Sequence, residues 1–594
     1  MADPPFVTGG VAAAPFTLKI HRGEGMVLLA MNWKNGTPPA NFVGFSIEYR
    51  RPQTTTFWPV KNRLHFPGKS KPLKPNQPAE QYPSTEAPFQ TFRWVHFPRI
   101  ADVEGQFTYR VTPQFMDTSG VLTPGTPQDA SLSIYSETDP GKINIAFTRG
   151  YIASQAFVDK FGGDEGFGKL IPKSAEEGNE FVPTHPKRAA AYRWMGFEAR
   201  QRIVELLKEA IADKAQVRVV AFELNLPELI ELLAKVGPNL KIILDNSKST
   251  SKKADGTKVT KDKNAPTSAE SKAAATLSAA GAQVCRQHMG NLQHNKMIVV
   301  HGPTVKKVVL GSTNFSWRGF YVQSNNAVIV CGKDIVDQQM KAFDAYWENG
   351  PGKFSASASA DWLSLQVPGL DAEVSMCPHA SAHSTQKAIA DDMALAQSSL
   401  FYSLAFLGIT GGDVKKAVQD ATDRANLFVY GVSDSPAGIV LHQTDGNPAP
   451  VSSASLSKGL PEPFRSEASG GKGVMMHHKF VVIDFDKPAA RVYTGSYNFS
   501  TTADLKNGEN LVVIRDRRIA TAYMVEALRI FDAYQFRVSF KKPKPKPAAG
   551  AAPTPPKKKE LALPPVNTND PAAKPWWDKF WTVPIRKRDR EMFA

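Results

Sequence analysis

The chain has 594 residues, 42% of them hydrophobic and 22% charged, which is ordinary globular usage and excludes a wholly disordered, collagen-like or coiled-coil protein. Its formal charge is +16, but Lys541–Ala594 holds thirteen Lys and Arg against five acids and Asn246–Lys272 seven Lys against three, so +12 of it sits in two short segments. The excess is therefore weak evidence for a nucleic-acid partner. No apolar run is long enough for a transmembrane helix. Three cysteines (Cys285, Cys331, Cys377) without metal-ligand spacing argue against a disulfide scaffold. The opening MADPPFVTGGVAAAPFTLKI lacks a basic start and a sustained apolar stretch, so the expected location is the cytoplasm, with leaderless secretion left open.

Residues 1–14 are expected to be disordered. Residues 15–140 read as all-β: Phe16-Leu18-Ile20, Phe45-Ile47-Tyr49 and Phe107-Tyr109-Val111 alternate between Gly, Pro and Asn clusters. Trp33 and Trp94 are the candidate large core residues. The spacing resembles a fibronectin III or immunoglobulin-like sandwich. From about residue 141 strands alternate with helices: KINIAF, the helical AAAYRWMGFEARQRIVELLKEAI, VRVVAF, the helical LPELIELLAKV, and LKIILD. A Lys-rich stretch over 246–272 reads as a flexible loop. After about residue 365 the alternation returns with SLFYSLAF, GDVKKAVQDATDRA and NLFVYGV. The expected layout is 141–364 and 365–540 as two α/β lobes, then 541–594 as a Pro/Lys-rich linker and a basic tail with Trp576, Trp577 and Trp581. Docking of that tail onto the body is preferred over contact with a membrane or with stacked bases.

The duplication is explicit in four landmarks. His294-Asn295-Lys296 precedes an apolar strand, KKVVL and Gly311-Ser312-Thr313-Asn314; His477-His478-Lys479 precedes an apolar strand, ARVYT and Gly495-Ser496-Tyr497-Asn498. Asn325-Asn326 then aligns with Glu509-Asn510, and both copies run into Phe-Asp-Ala-Tyr. His-x-Lys on a strand puts imidazole and ammonium on one face. The Gly of Gly-Ser-x-Asn permits a tight turn that brings hydroxyl and amide beside the Lys. Each half alone is commonplace. The doubled set suits one phosphodiester: Lys neutralises it, Ser312, Asn314, Ser496 and Asn498 bind its oxygens, and two imidazoles flank phosphorus.

This doubled pattern resembles the phospholipase D superfamily, over about residues 141–536. The resemblance implies two similar α/β/α lobes related by a pseudo-two-fold, with one active site at their interface. It also implies a phosphohistidine intermediate, no cofactor and no metal requirement. Carried over by position, His294, Lys296, His477, Lys479 and Asp484 are the catalytic residues. Ser312, Asn314, Ser496 and Asn498 bind phosphate, and Glu509 and Asn325 orient. The first copy departs twice, with His301 at the motif Asp position and Asn325 at the Glu position. His294 is therefore expected to lack an orienting acid and to have a pKa below that of His477. Family habit favours the N-terminal His as nucleophile, whereas a carboxylate-oriented ring favours His477; the order stays open. His478, on the opposite strand face, and His288 are read as structural.

The expected function is hydrolysis of a phosphodiester, with a phospholipid head group ranked first, DNA or RNA second and a catalytically degenerate binding protein third. Two half-sites in one chain imply a monomer. The basic tail is a candidate for peripheral contact with a membrane or an anionic polymer.

Overall fold

The computed structural model describes residues 4–69, 80–98, 104–150, 157, 160–161, 166, 168–252, 258–380, 384–407, 411–435, 438–443, 448–452, 476–539, 560–565 and 574–594. The chain divides into two units, Met1–Ser136 with Ser539–Ala594, and Glu137–Val538. Among the described residues no helix is long and apolar enough to cross a membrane.

The first unit is all-β apart from its C-terminal segment. One sheet runs Phe6–Thr8, Phe16–Arg22, Val27–Trp33, Arg93–His96; the other runs Leu122–Pro124, Gly105–Met116, Phe42–Arg50, Phe57–Pro59, with Gln128–Ile134 also paired to Gly105–Met116. Alternation fixes the inner faces: Phe16, Leu18 and Ile20 are buried while Thr17 is exposed. The expected disorder over 1–14 does not hold for Phe6–Thr8, which pairs antiparallel with Lys19–His21 because Phe6 and Val7 have apolar neighbours to cover. Trp33 and Trp94 are only partly buried, at the margin of the core. The tail supplies the larger indoles. Trp576 and Trp577 join Phe16, Phe42, Phe45 and Phe92 in one apolar cluster, and the Trp576 indole N–H donates to Phe42 O (2.9 Å). Arg93 and Asp589 close a buried ion pair at 2.8 Å. Most of the expected Pro/Lys-rich linker (540–559) lies outside the described residues.

The second unit holds two lobes of matching strand order. In the first the sheet runs Ile143–Phe147, Asn326–Cys331, Lys306–Gly311, Lys296–His301, Gln216–Ala221, Leu240–Leu244, Gln283–Arg286, the last three mutually parallel. In the second it runs Leu363–Ser364, Asp371–Cys377, Glu509–Arg515, Arg491–Gly495, Lys479–Ile483, Ser399–Leu404, Phe428–Ser435, and then two antiparallel strands, Gly438–His442 and Pro448–Ser452. The central strands are almost uninterrupted Val, Ile and Leu, as layers covered on both faces require. The lobes also exchange contacts reciprocally. Gln293, just before His294, bridges to Gly508, just before Glu509; Met476, just before His477, bridges to Ser324, just before Asn325.

The flexible loop expected over 246–272 is instead an antiparallel hairpin, Lys248–Lys252 against Lys258–Asp262, followed by the helix Ala269–Ala279. A Thr250–Thr260 hydroxyl pair (3.1 Å) and a Lys248–Asp262 ion pair (3.1 Å) tie its arms. Its β-branched residues carried a strand signal that the lysines masked.

Candidate active site

The two motifs meet between the lobes. The His294 and His477 rings lie 6.3 Å apart, centroid to centroid, and both are buried. Each His ends the loop before its strand, and the following Lys turns its ammonium back to the carbonyl of its own His: Lys479 Nζ donates to His477 O at 2.7 Å, and Lys296 Nζ to His294 O. The turn at each Gly is obligatory. Gly311 has φ +120° and Gly495 +141°, and a Cβ at Gly495 would stand 2.2 Å from Asn510 O.

The orienting groups are traded between the copies. His294 donates Nδ1–H to Glu509 (2.8 Å to Oε2, 3.0 Å to Oε1), whereas His477 donates Nδ1–H to Asn325 Oδ1 (2.7 Å). The expectation that His294 lacks an acid is therefore reversed: the carboxylate of the second copy serves the His of the first, and His477 has the neutral amide. Asn325 Nδ2 donates to Gly319 O (2.9 Å), which fixes Oδ1 toward His477. In both rings the Nδ1 bond leaves Nε2 as the nitrogen available to phosphorus.

The Ser312 and Ser496 hydroxyls, expected to bind phosphate, are already committed to other partners. Ser496 Oγ donates to Glu509 Oε2 (2.6 Å) and accepts from Asn510 N (2.9 Å); Ser312 Oγ donates to Asn325 Oδ1 (3.0 Å) and accepts from Asn326 N (3.0 Å). They hold the groups that hold the histidines. Asn314 and Asn498 differ: each has a buried Oδ1 acceptor with no hydrogen-bond partner among the described residues.

Four cations and acids share this low-dielectric space. Burial, reinforced by the lysine ammonium groups, holds both imidazoles well below their ordinary pKa, so neither His stands out by direction. Burial lowers Lys296 to about 7 despite Glu509 and Glu223 nearby, and lowers Lys479 well below its usual value. Burial also raises Glu509 to about 7 against the pull of Lys296.

The motif Asp484 accepts from the backbone N–H groups of Gln397 (2.9 Å), Ser398 (2.7 Å) and Ser399 (3.1 Å), pinning the helix-to-strand turn of the second lobe. These bonds give Asp484, expected among the catalytic residues, a place in the scaffold. In the first lobe His301 makes no such bond and sits 3.7 Å from Asp337. The tie is made from the other side: Asp213, on the equivalent turn, accepts from Thr304 N (3.0 Å) and Val305 N (2.8 Å).

Several neighbours went unread in the sequence. Asp245 Oδ1 accepts from Gln293 N (2.8 Å), and Asp434 is bonded by Met476 N, so an Asp anchors the residue before each motif His. The signal was present: LKIILD and NLFVYGVSD end equivalent strands in Asp. Phe222 lies 4.8 Å from the His294 ring, and Lys263 Nζ sits 3.2 Å over Phe222 and 3.3 Å from Asp245. His478 is buried against Glu526 (2.9 Å), and His288 is bonded to Asn246 (2.8 Å), both in structural roles as expected.

Residues 195–347 and 441–531 match the family model described as cardiolipin synthase, PLD-like domain, and these spans contain both motifs and both orienting residues. Over these two spans, about two-fifths of the chain, the sequence is that of a PLD-like domain. Among curated proteins it is 44% identical over 48 residues to phospholipase D of Rickettsia prowazekii (strain Madrid E), covering 8% of this chain and 22% of that one. It is 41% identical over 59 residues to mitochondrial cardiolipin hydrolase of Xenopus tropicalis, covering 10% and 26%. The chain thus spans about a fifth of the length of the first curated relatives it matches, 22%. Among solved structures it is similar to phosphatidylserine synthase of Haemophilus influenzae Rd KW20 (12% identity, 57% and 85% coverage, TM-score 0.39). It is also similar to Nuc of Salmonella typhimurium (20% identity, 25% and 88% coverage, TM-score 0.20).

Proposed function

We propose that this protein hydrolyses a phosphodiester in two displacements, with His294 as nucleophile and His477 as general acid and then base. The observation that carries the assignment is the unequal pair of orienting groups. Attack by Nε2 leaves positive charge on the attacking ring, and the Glu509 carboxylate at Nδ1 stabilises that charge where an amide cannot. His294 Nε2 bonds to phosphorus as the ester P–O bond breaks, and protonated His477 gives its Nε2 proton to the leaving oxygen. Water then loses a proton to neutral His477 and attacks the phosphohistidine, releasing His294. Lys296 and Lys479 with the Asn314 and Asn498 amides offset charge on the non-bridging oxygens. An incoming phosphate anion raises the depressed pKa of His477, so substrate binding itself favours the acid form. Both half-sites lie in one chain, which supports a complete site in a monomer. The Asp213 tie, which stands in for the missing motif Asp, and the crossed Glu509, which leaves His294 with its acid, weigh against the degenerate reading.

A phospholipid head group is the first substrate class, supported by the names of the relatives, phospholipase D and cardiolipin hydrolase. Nucleic acid is the second reading, favoured by one observation: the hairpin Lys248–Asp262 leaves the end of the Leu240–Leu244 strand, and Lys263 behind it reaches Phe222 beside His294.

The test uses bis(p-nitrophenyl) phosphate, whose leaving group needs no acid. His477→Ala should release one p-nitrophenolate per chain in a burst and stall as phosphohistidine, while His294→Ala gives no burst. A burst from His294→Ala and none from His477→Ala would reverse the assignment. Vesicles of mixed phospholipids and single- and double-stranded DNA, assayed in parallel, separate the two substrate classes.

A further inference from the structure

Behind the second half-site lies a polar cluster that the phosphodiester chemistry does not use. Cys377 ends the strand Asp371–Cys377, directly opposite Glu509 in register; His379 follows two residues on, and Asp504 sits in the short helix Thr501–Leu505. All three are buried, with one donor atom from each lying within 4.8 Å of the others. His379 Nδ1 is 2.6 Å from Asp504 Oδ1, 3.1 Å from Thr385 Oγ1 and 3.8 Å from Cys377 Sγ.

The hydrogen-bond accounting around His379 is the informative part. Ser375 Oγ spends its hydrogen on Ala360 O (2.9 Å), so its 2.8 Å contact with His379 Nε2 is a bond donated by the ring. That fixes the hydrogen on Nε2 and turns Nδ1 toward a carboxylate oxygen and a sulfur. A neutral ring in that tautomer aims a lone pair at Asp504, so a cation has to sit there: either a second proton or a metal ion. Nε2 donating outward to an oxygen is also the arrangement that orients metal-binding imidazoles. Around the same point Asp504 Oδ2, the Tyr497 hydroxyl and the Gln386 side chain are buried together, with Tyr497 interacting with both Gln386 and Asp504.

The fold itself does not require these groups. At the corresponding places the first lobe has Thr148, facing Asn325 as Cys377 faces Glu509, then Gly150 two residues on. Phe320, fully buried, follows the helix cap Ser316 by four residues as Asp504 follows Ser500. The same architecture therefore stands on an apolar ring where the second lobe has a carboxylate. Burying a thiol, an imidazole and an acid together is unfavourable unless they are paired with a cation or with one another.

We propose that Cys377, His379 and Asp504 form a structural site for a divalent transition metal of the zinc class, held on Cys377 Sγ, His379 Nδ1 and an Asp504 oxygen, with an oxygen donor in the fourth position. Thiolate, carboxylate and neutral imidazole cancel a 2+ charge, which suits a site without solvent, and the N/S/O donor set matches that metal class. The thiol proton leaves as the metal enters, and because the site is buried the ion is acquired during folding. Its position opposite Glu509 makes it a brace for the strand pair that carries the carboxylate of the active site.

The full-length protein, expressed in zinc-supplemented medium and gel-filtered, is assayed for metal by mass spectrometry, alongside Cys377→Ser and His379→Asn. The expected result is about one zinc per chain in the wild type and a small fraction of that in either variant. Protein refolded with cobalt(II) should show a sulfur-to-cobalt charge-transfer band that Cys377→Ser lacks. Should the variants fail to fold, the wild-type metal content and cobalt spectrum decide alone. A folded wild type without stoichiometric metal and without that band overturns the proposal in favour of a protonated His379–Asp504 pair. Zinc retained in full by folded Cys377→Ser overturns it as well.

Discussion

Glu509→Gln tests the crossed arrangement most directly. In the wild type, Glu509 takes hydrogen bonds from His294 Nδ1 (2.8 Å), Ser496 Oγ (2.6 Å) and Asn507 Nδ2 (3.0 Å), so three donors converge on one buried carboxylate. A glutamine keeps the shape but has one acceptor oxygen for three donors, and it removes the charge facing the ring that becomes cationic. A hydrogen bond to a charged partner is worth about 1.5–3 kcal/mol, which is about 10- to 150-fold in rate at 1.36 kcal/mol per decade. The loss should fall on the first displacement, read as the burst rate with bis(p-nitrophenyl) phosphate, with the intermediate's hydrolysis affected less. Thermal midpoints accompany the kinetics, because the displaced donors also cost stability. The reasoning is refuted if the burst rate of folded Glu509→Gln is unchanged, or if only breakdown of the intermediate slows; Glu509 would then not serve the nucleophile.

Other outcomes follow from the same geometry. Gly495→Ala places a methyl 2.2 Å from Asn510 O at φ +141°, so it should destabilise the second unit by roughly 1–3 kcal/mol in urea unfolding. Trp576→Ala removes an indole shared with Phe42 and Phe92 and should cost the first unit about 3–5 kcal/mol, seen as an earlier unfolding transition. Asp434 is raised from 3.8 to about 7 by burial, so the folded state binds its proton more tightly than the unfolded chain. Its contribution is present in full at low pH and is lost as pH rises through about 7. Asp434→Asn should therefore gain stability relative to wild type as pH rises from about 4 to about 7, and a pH-independent difference would contradict that.

The sequence revealed the elements and the four His and Lys residues because both signals are local. Strand alternation and the His-x-Lys spacing lie within a few positions, and repetition at matched spacing supplied the specificity. The hairpin after Asn246 was missed because charge was read ahead of the β-branched Thr and Val residues that pair across it. Asp245 and Asp434 were missed because a lone Asp after a strand looks like any turn residue until its acceptor role at the next motif is visible.

The deeper failure concerned Glu509 and Asn325, whose identities were read correctly and whose duties were assigned to the wrong partners. Within each copy the orienting position follows its own His by about thirty residues, so linear reading joins Asn325 to His294 and Glu509 to His477. The strands instead place Gly508 beside Gln293 and Ser324 beside Met476, and each orienting side chain meets the His of the other lobe. A duplicated domain that shares one site across its interface allows this exchange at no cost to either lobe's internal packing. It also means that a loss in one copy is felt by the other. The Asn at position 325 leaves His294 with its carboxylate and gives the neutral amide to His477, which in the proposed mechanism handles the leaving-group proton, a role in which a lower basicity still permits proton donation. On the proposed assignment, the asymmetry between the copies is a division of labour at their interface, with attack falling to the charged pair and proton transfer to the neutral one.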